Sequence, residues 1–292
     1  VKDNFLCMDV LILLEDYKLG LADHESVVEI GALKNKITSR MKIVPPLELF
    51  RKVLVTGWKY FHEGKFTSSA EYFNKAVKLF YKNQDPINEK LKEGFGYGGL
   101  YGDAIANIIL GDFSHALENC PEIIRISEKL GDKLDIIGGL ILITRINRWL
   151  KNYEQCELLL YEIQKMVDDE FFKHPNIGLF WHWIWGFIYM DQQKHDEAIE
   201  VFSQMTSGAL DVNAISAMNV NYQAMAEAHQ RKGDPESARY WINKAESQRI
   251  MTRESWFHSR IIRIQGNIDR LEGKFSEAEK KYMEAICIAQ NQ

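Results

Sequence analysis

KGDPESARYWINKA, residues 232–245, and EGKFSEAEKKYMEA, residues 272–285, repeat one pattern 40 residues apart. Each opens on a polar turn containing glycine, continues to a small residue, and places a large one four positions later. The same order recurs in EGKFTSSAEYFNKA (63–76) and LGDFSHALENC (110–120) and, with a polar turn lacking glycine, in LKNYEQCELLL (150–160) and QQKHDEAIEVF (192–202). With Ser69, Ala116, Cys156, Ala198, Ala238 and Ala278 as the small positions, the spacings are 47, 40, 42, 40 and 40 residues. A period of this length held over six units is the mark of a repeat architecture.

Physically, each unit reads as helix, tight turn, helix. Gly64, Gly111, Gly233 and Gly273 sit where a first helix must end, because a left-handed residue costs glycine little. The small residue opens the second helix where it passes close to the first, and Phe73, Phe202, Ile242 or Tyr282 fills the hairpin interior. Such a hairpin cannot bury its own apolar faces, so it must stack on its neighbours.

The pattern resembles the tetratricopeptide (TPR) family, whose first helix carries W-x2-L-G-x2-Y and whose second carries A-x3-F. The fourth unit matches best, with Gly186, Tyr189, Ala198 and Phe202. The first supplies Gly57, Tyr60, Phe73 and Ala76, with Ser69 in the alanine place, and the sixth keeps Gly266, Ala278, Tyr282 and Ala285. Units two and three depart, with Ala104 and Thr144 for the packing glycine and Cys156 for the alanine. The resemblance implies an all-α fold, a right-handed superhelical solenoid of six helical hairpins over residues 45–292. Its period is nearer 40 than the family's 34 residues. Pro45-Pro46 is the natural boundary. Residues 1–44 are expected to be helical, as a degenerate hairpin or the tail of a preceding domain. KNQDPINEKLKEGFGYGG and DDEFFKHPNIG read as inter-unit insertions.

Composition narrows the function. Of 292 residues, 46% are hydrophobic and 26% charged, which is ordinary for a folded soluble domain. A net charge of −5 gives no whole-surface attraction for nucleic acid. The longest apolar run is interrupted by Arg145 and Arg148, so no membrane span is expected. The four cysteines lack metal or disulfide spacing and read as small buried hydrophobes in a reducing, cytoplasmic compartment. No phosphate-binding loop, dinucleotide fingerprint, zinc-protease motif or nucleophile elbow is present, so neither enzyme activity, cofactor nor metal is expected. The start at Val1 and the end within AICIAQNQ lead us to expect a piece of a longer chain.

A TPR-like solenoid presents a concave groove lined by its first helices. Carrying that face over unit by unit selects Trp58 and Phe61, then Tyr101, Ile105 and Ile108, then Arg145 and Arg148. Unit four contributes Phe180, Trp183, Phe187 and Met190, unit five Gln223, Glu227 and Gln230, and unit six Arg260, Arg263, Asn267 and Arg270. The aromatic stripe is either buried core or a partner groove, and the arginine stripe either a solvated face or a contact for anions. Within WHWIWGF (181–187) the question narrows to whether Trp183 is open to a partner. The expected occupant is a protein or peptide segment with an apolar stretch and an acidic end, including one from the same full-length protein. A small-molecule effector is the other candidate.

The last unit carries a narrower likeness. Glu254, Trp256, Arg263, Gly266, Ala278, Glu279, Ala285 and Ala289 resemble the closing repeats of STAND-type signalling ATPases, including relatives of soluble class III adenylyl cyclases. MalT-like regulators of the LuxR type have similar repeats. His258 and Arg260 stand where that family usually has acids. The resemblance implies a non-catalytic sensor and interaction region regulating an ATPase or cyclase domain elsewhere in a longer protein. The alternatives are a TPR adaptor and the effector-binding domain of a transcription activator.

Overall fold

The computed structural model describes residues 26, 29–33, 46–82, 96–167, 175–211 and 215–292. Most of the N-terminal segment and of the two insertions lies outside them. The described residues hold twelve long helices: α1 (Pro46–His62), α2 (Phe66–Lys82), α3 (Gly96–Leu110), α4 (Phe113–Leu130), α5 (Lys133–Trp149), α6 (Tyr153–Met166), α7 (Pro175–Asp191), α8 (His195–Asp211), α9 (Ile215–Lys232), α10 (Pro235–Thr252), α11 (His258–Leu271) and α12 (Phe275–Asn291). Consecutive helices pair as hairpins, and each hairpin packs on the next, giving an all-helical solenoid.

The repeated pattern builds six copies of one turn. In the first hairpin Gly64 N–H donates to Phe61 O at 2.9 Å and Lys65 N–H to Tyr60 O at 2.8 Å. The same pair of bonds closes the turns at residues 111–112, 151–152, 193–194, 233–234 and 273–274. This is the Schellman arrangement, which satisfies the last carbonyls of a helix and requires one left-handed residue. Glycine supplies it at 64, 111, 233 and 273, whereas Lys151 (φ 60°) and Gln193 (φ 63°) carry the strain in units three and four. The next residue caps the second helix, and the Asp112 and Asp234 carboxylates accept the N–H groups of His115 and Ser237.

All six small residues are buried, and two show why they must be small. Ser69 Oγ donates to Gly57 O at 2.9 Å, and Cys156 Sγ lies 3.4 Å from Thr144 O, so the two helices of a hairpin nearly touch. A Cβ on Gly186 would run into the ring of Phe202. Phe73 and Phe202 are fully buried between their helices, each worth roughly 1.5–3 kcal/mol of transfer energy. Cys120 and Cys156 are buried, and burial pushes their thiols up to about 12 and about 11. Cys287 departs from the expectation, being exposed on α12, and Cys7 lies outside the described residues.

The solenoid also meets itself. The turn of the first hairpin lies against the α10–α11 junction, where Ser255 N–H donates to His62 O at 2.8 Å. Trp256 packs its ring 5.2 Å from that of Phe61, centroid to centroid, and joins the core of the first hairpins. Glu254, 1% exposed, accepts from Thr252 and brings Oε1 within 3.1 Å of His62 Nδ1, though off the hydrogen-bond direction.

Candidate binding groove

The expected groove residues of α5, α7, α9 and α11 converge in one polar and aromatic cluster. The α-helical period sets this up. Arg145 and Arg148 are three apart on α5, Trp183 and Phe187 four apart on α7, and Arg260, Arg263, Asn267 and Arg270 fall three or four apart on α11. Each set therefore shares one helix face, and stacking the hairpins lines the faces up.

Glu227 is the electrostatic centre. It is 4% exposed, and its Oε2 accepts from Arg260 Nη2 at 2.8 Å and Arg263 Nη2 at 3.4 Å. Its Oε1 accepts from Arg231 Nη2 at 3.0 Å. Burial alone would push this carboxyl up, but the surrounding guanidiniums of Arg260, Arg263 and Arg231 hold it well below the usual carboxylate range. Asp191 is the second anion, accepting from Arg148 Nε at 3.0 Å and Arg231 Nη1 at 3.3 Å. Farther along, Asn267 donates to Gln230 Oε1 at 3.1 Å and accepts from Tyr282 at 2.9 Å.

Arg145 stands apart from this network. It is 8% exposed, with its guanidinium carbon 5.0 Å from the centroid of Trp183. Among the described residues it forms no ion pair, and its buried Nε has no hydrogen-bond partner. The indole Nε1–H of Trp183 is likewise buried without an acceptor. Burial lowers the pKa of Arg145, Tyr101 opposes that, and Arg148 adds to it. Stripping a cation of water costs several kcal/mol, of which a desolvated cation–π contact returns about 2 kcal/mol.

The expected groove residues thus separate by depth. Arg145, Arg148, Trp183, Arg260, Arg263 and Asn267 share the cluster, with Arg263 and Arg270 exposed and Trp183 half-buried. Phe187, 3% exposed, lies beneath the cluster instead of on it, with the guanidiniums of Arg148 and Arg260 at 4.5 and 4.9 Å from its ring. Phe61, at 2% exposure, is covered by Trp256 and cannot meet a ligand, while Trp58 packs edge-on against Phe61 and Phe73. Tyr101 is half-buried against the first core, and Ile105, Ile108 and Met190 are fully core. The Phe180 side chain lies outside the described residues. Within the arginine stripe, Arg260 and Arg263 both engage Glu227, Arg263 from an exposed position, while Arg270 is exposed.

Asp191 and Arg231 escaped the sequence reading, although a signal existed. They lie 40 residues apart, one repeat, with opposite charge. Arg148 with Asp191 and Glu227 with Arg263 are 43 and 36 apart, again close to one period. Opposite charges one repeat apart on the concave face mark ion pairs between adjacent units. Among the described residues there is neither a His, Cys, Asp and Glu group placed to hold a metal nor a helix long and apolar enough to cross a membrane.

No family model and no curated protein matches the chain. Solved structures do. One is the Rap conjugation gene regulator of plasmid pLS20, in complex with the Phr* peptide, with a TM-score of 0.70 at 11% identity over 97% of this chain and 85% of that one. This chain is similar in fold to Rap-type repeat proteins. The apo form of RapI aligns over 97% of this chain and 98% of its own length, at 14% identity and a TM-score of 0.63. Aspartyl phosphate phosphatase F from Bacillus subtilis follows at 0.54, with 14% identity, covering 91% of this chain and 75% of that one. At these identities the likeness concerns the fold: a Rap-like run of TPR-type hairpins.

Proposed function

We propose that the chain is a binding scaffold whose concave face recognises a peptide or protein segment. The observation that carries this reading is the charge imbalance at the centre of that face. Arg148, Arg231, Arg260 and Arg263 share the two carboxylates of Asp191 and Glu227, and Arg145 adds a fifth cation with none. A protein of net charge −5 that gathers cations and a half-buried tryptophan on one concave surface has built a recognition surface for an acidic, partly apolar segment. The Phr* complex of the pLS20 regulator supports this choice of ligand class, since it is a peptide complex of a similarly folded protein.

The narrower reading, regulation of an ATPase or cyclase domain in the same protein, rests on a likeness of the last unit that includes Glu254 and Trp256. Both have another occupation here, at the contact between the two ends of the solenoid. We therefore place the adaptor reading first, with the occupant supplied by a partner or by another segment of the same protein.

The test is selection from a random nonapeptide library, followed by titration of the best binder. Trp183→Ala is expected to weaken binding at least tenfold, which is about 1.4 kcal/mol, and Kd is expected to rise with salt. Tyr161→Ala, an exposed position on α6, is expected to leave Kd unchanged. A binder indifferent to Trp183 and to salt removes the reading.

A further inference from the structure

Two buried donors side by side with no acceptor are rare in a folded protein, because each forgoes a hydrogen bond that water would have supplied. Arg145 Nε and Trp183 Nε1 are such a pair, on adjacent hairpins and on the concave face. The nearest carboxylates on that face do not answer them. Asp191 is held by Arg148 and Arg231, and Glu227 by Arg231, Arg260 and Arg263. Arg148 reinforces the positive potential at this corner, and the Tyr101 phenol near it carries no charge in the neutral range, its pKa being raised by burial.

We propose that the Arg145–Trp183 corner is a carboxylate subsite of the groove, accepting an acidic side chain or the C-terminal carboxylate of the bound segment. The proposal deepens the groove reading and rests on it for the ligand's identity as a peptide. A carboxylate offers two acceptor oxygens in one plane. One meets the guanidinium fork and the other meets the indole N–H. Arg145 is already buried with its guanidinium carbon 5.0 Å from the centroid of Trp183, so little side-chain freedom is left to lose when the anion arrives. The subsite thus lies at α5 and α7, and not at Arg260 and Arg263 of α11, which Glu227 already engages.

The experiment replaces tryptophan by 5-fluorotryptophan and follows the Trp183 resonance by fluorine NMR, assigned with Trp183→Phe. The probes are N-acetylglycine, standing for a chain terminus, and N-acetylaspartate amide, standing for an acidic side chain. N-acetylglycinamide and N-acetylasparagine amide are their neutral counterparts. A saturable shift with either carboxylate, at least fivefold weaker with its amide and lost in Arg145→Met, supports the subsite. Which of the two carboxylates binds more tightly decides between terminus and side chain. Arg145→Met keeps the apolar stem and removes the buried charge, so it is expected to fold. Arg145→Lys, which keeps the charge but loses the fork, is expected to weaken the shift without abolishing it. A resonance that ignores the carboxylates, follows the amides equally, or still shifts in Arg145→Met overturns the proposal. The groove reading fails separately, if no nonapeptide binds saturably whatever these probes do.

Discussion

Lys151 and Gln193 occupy the left-handed position that four sibling turns give to glycine. A side chain there costs about 1–2 kcal/mol in backbone strain, while glycine loses about 0.5–1 kcal/mol more entropy on folding. Lys151→Gly and Gln193→Gly are each expected to stabilise the fold by about 0.5–1 kcal/mol, read as a higher urea midpoint at constant slope. A fall in midpoint would mean that the side chains make compensating contacts. The opposite change at Gly186 is costly, because the added methyl meets the Phe202 ring. Gly186→Ala is expected to destabilise by about 1–3 kcal/mol, the usual range for overpacking. Both expectations concern positions where the repeat pattern is legible in sequence. Glycine recurs at the turn and at the helix crossing because backbone geometry permits little else, and such constraints are local. Even the departures are legible, since Lys151 and Gln193 align with Gly111 and Gly233 by spacing alone.

Between helices, the ion pairs centred on Glu227 join α9 to α11, and Arg231 carries the connection back to Asp191 on α7. Removing one partner of a buried network leaves the others uncompensated, which costs more than the pair itself contributes. Glu227→Gln is expected to destabilise by about 3 kcal/mol at neutral pH, with the arginines left to repel one another. The pH dependence follows from the sign of the shift. A carboxyl whose folded-state pKa is depressed stabilises fully above its ordinary value of 4.5, and that stability is lost as pH falls toward the folded-state value. The deficit of Glu227→Gln is therefore expected to be constant from pH 8 to about 5 and to shrink below that, measured by chemical denaturation across pH. A deficit already shrinking at pH 7 would show that the arginines do not hold Glu227 charged. The face of each concave side chain was readable from helical period, but its depth was not. Phe61 and Phe187 share the groove register with Trp58 and Trp183. Burial was decided by Trp256, Arg148 and Arg260, which arrive from 39 to nearly 200 residues away in segments whose packing no local pattern encodes.

Across the whole molecule, the contact between the first hairpin and the α10–α11 junction converts an open stack into a closed turn. The stack itself rests on broad apolar seams between consecutive hairpins. Closure rests on far less: the Phe61–Trp256 pair, the His62–Ser255 and Phe66–Gln292 backbone bonds and the buried Glu254. An aromatic pair contributes about 0.5–1.5 kcal/mol beyond its buried area, so closure is the weakest seam and the first to yield. Intrachain contacts this small leave relative motion as the default. Trp256→Ala is expected to raise the radius of gyration in small-angle scattering while leaving the far-ultraviolet helix signal unchanged, because the hairpin seams are untouched. The same variant is expected to speed both association and dissociation of a groove-bound peptide, since Arg260 lies only four residues beyond Trp256. Closure would then gate access without supplying the binding contacts, and Kd is expected to change less than either rate. An unchanged scattering profile in Trp256→Ala would mean that the curvature of the stack alone brings the ends together, and that the residues at this seam report closure without causing it.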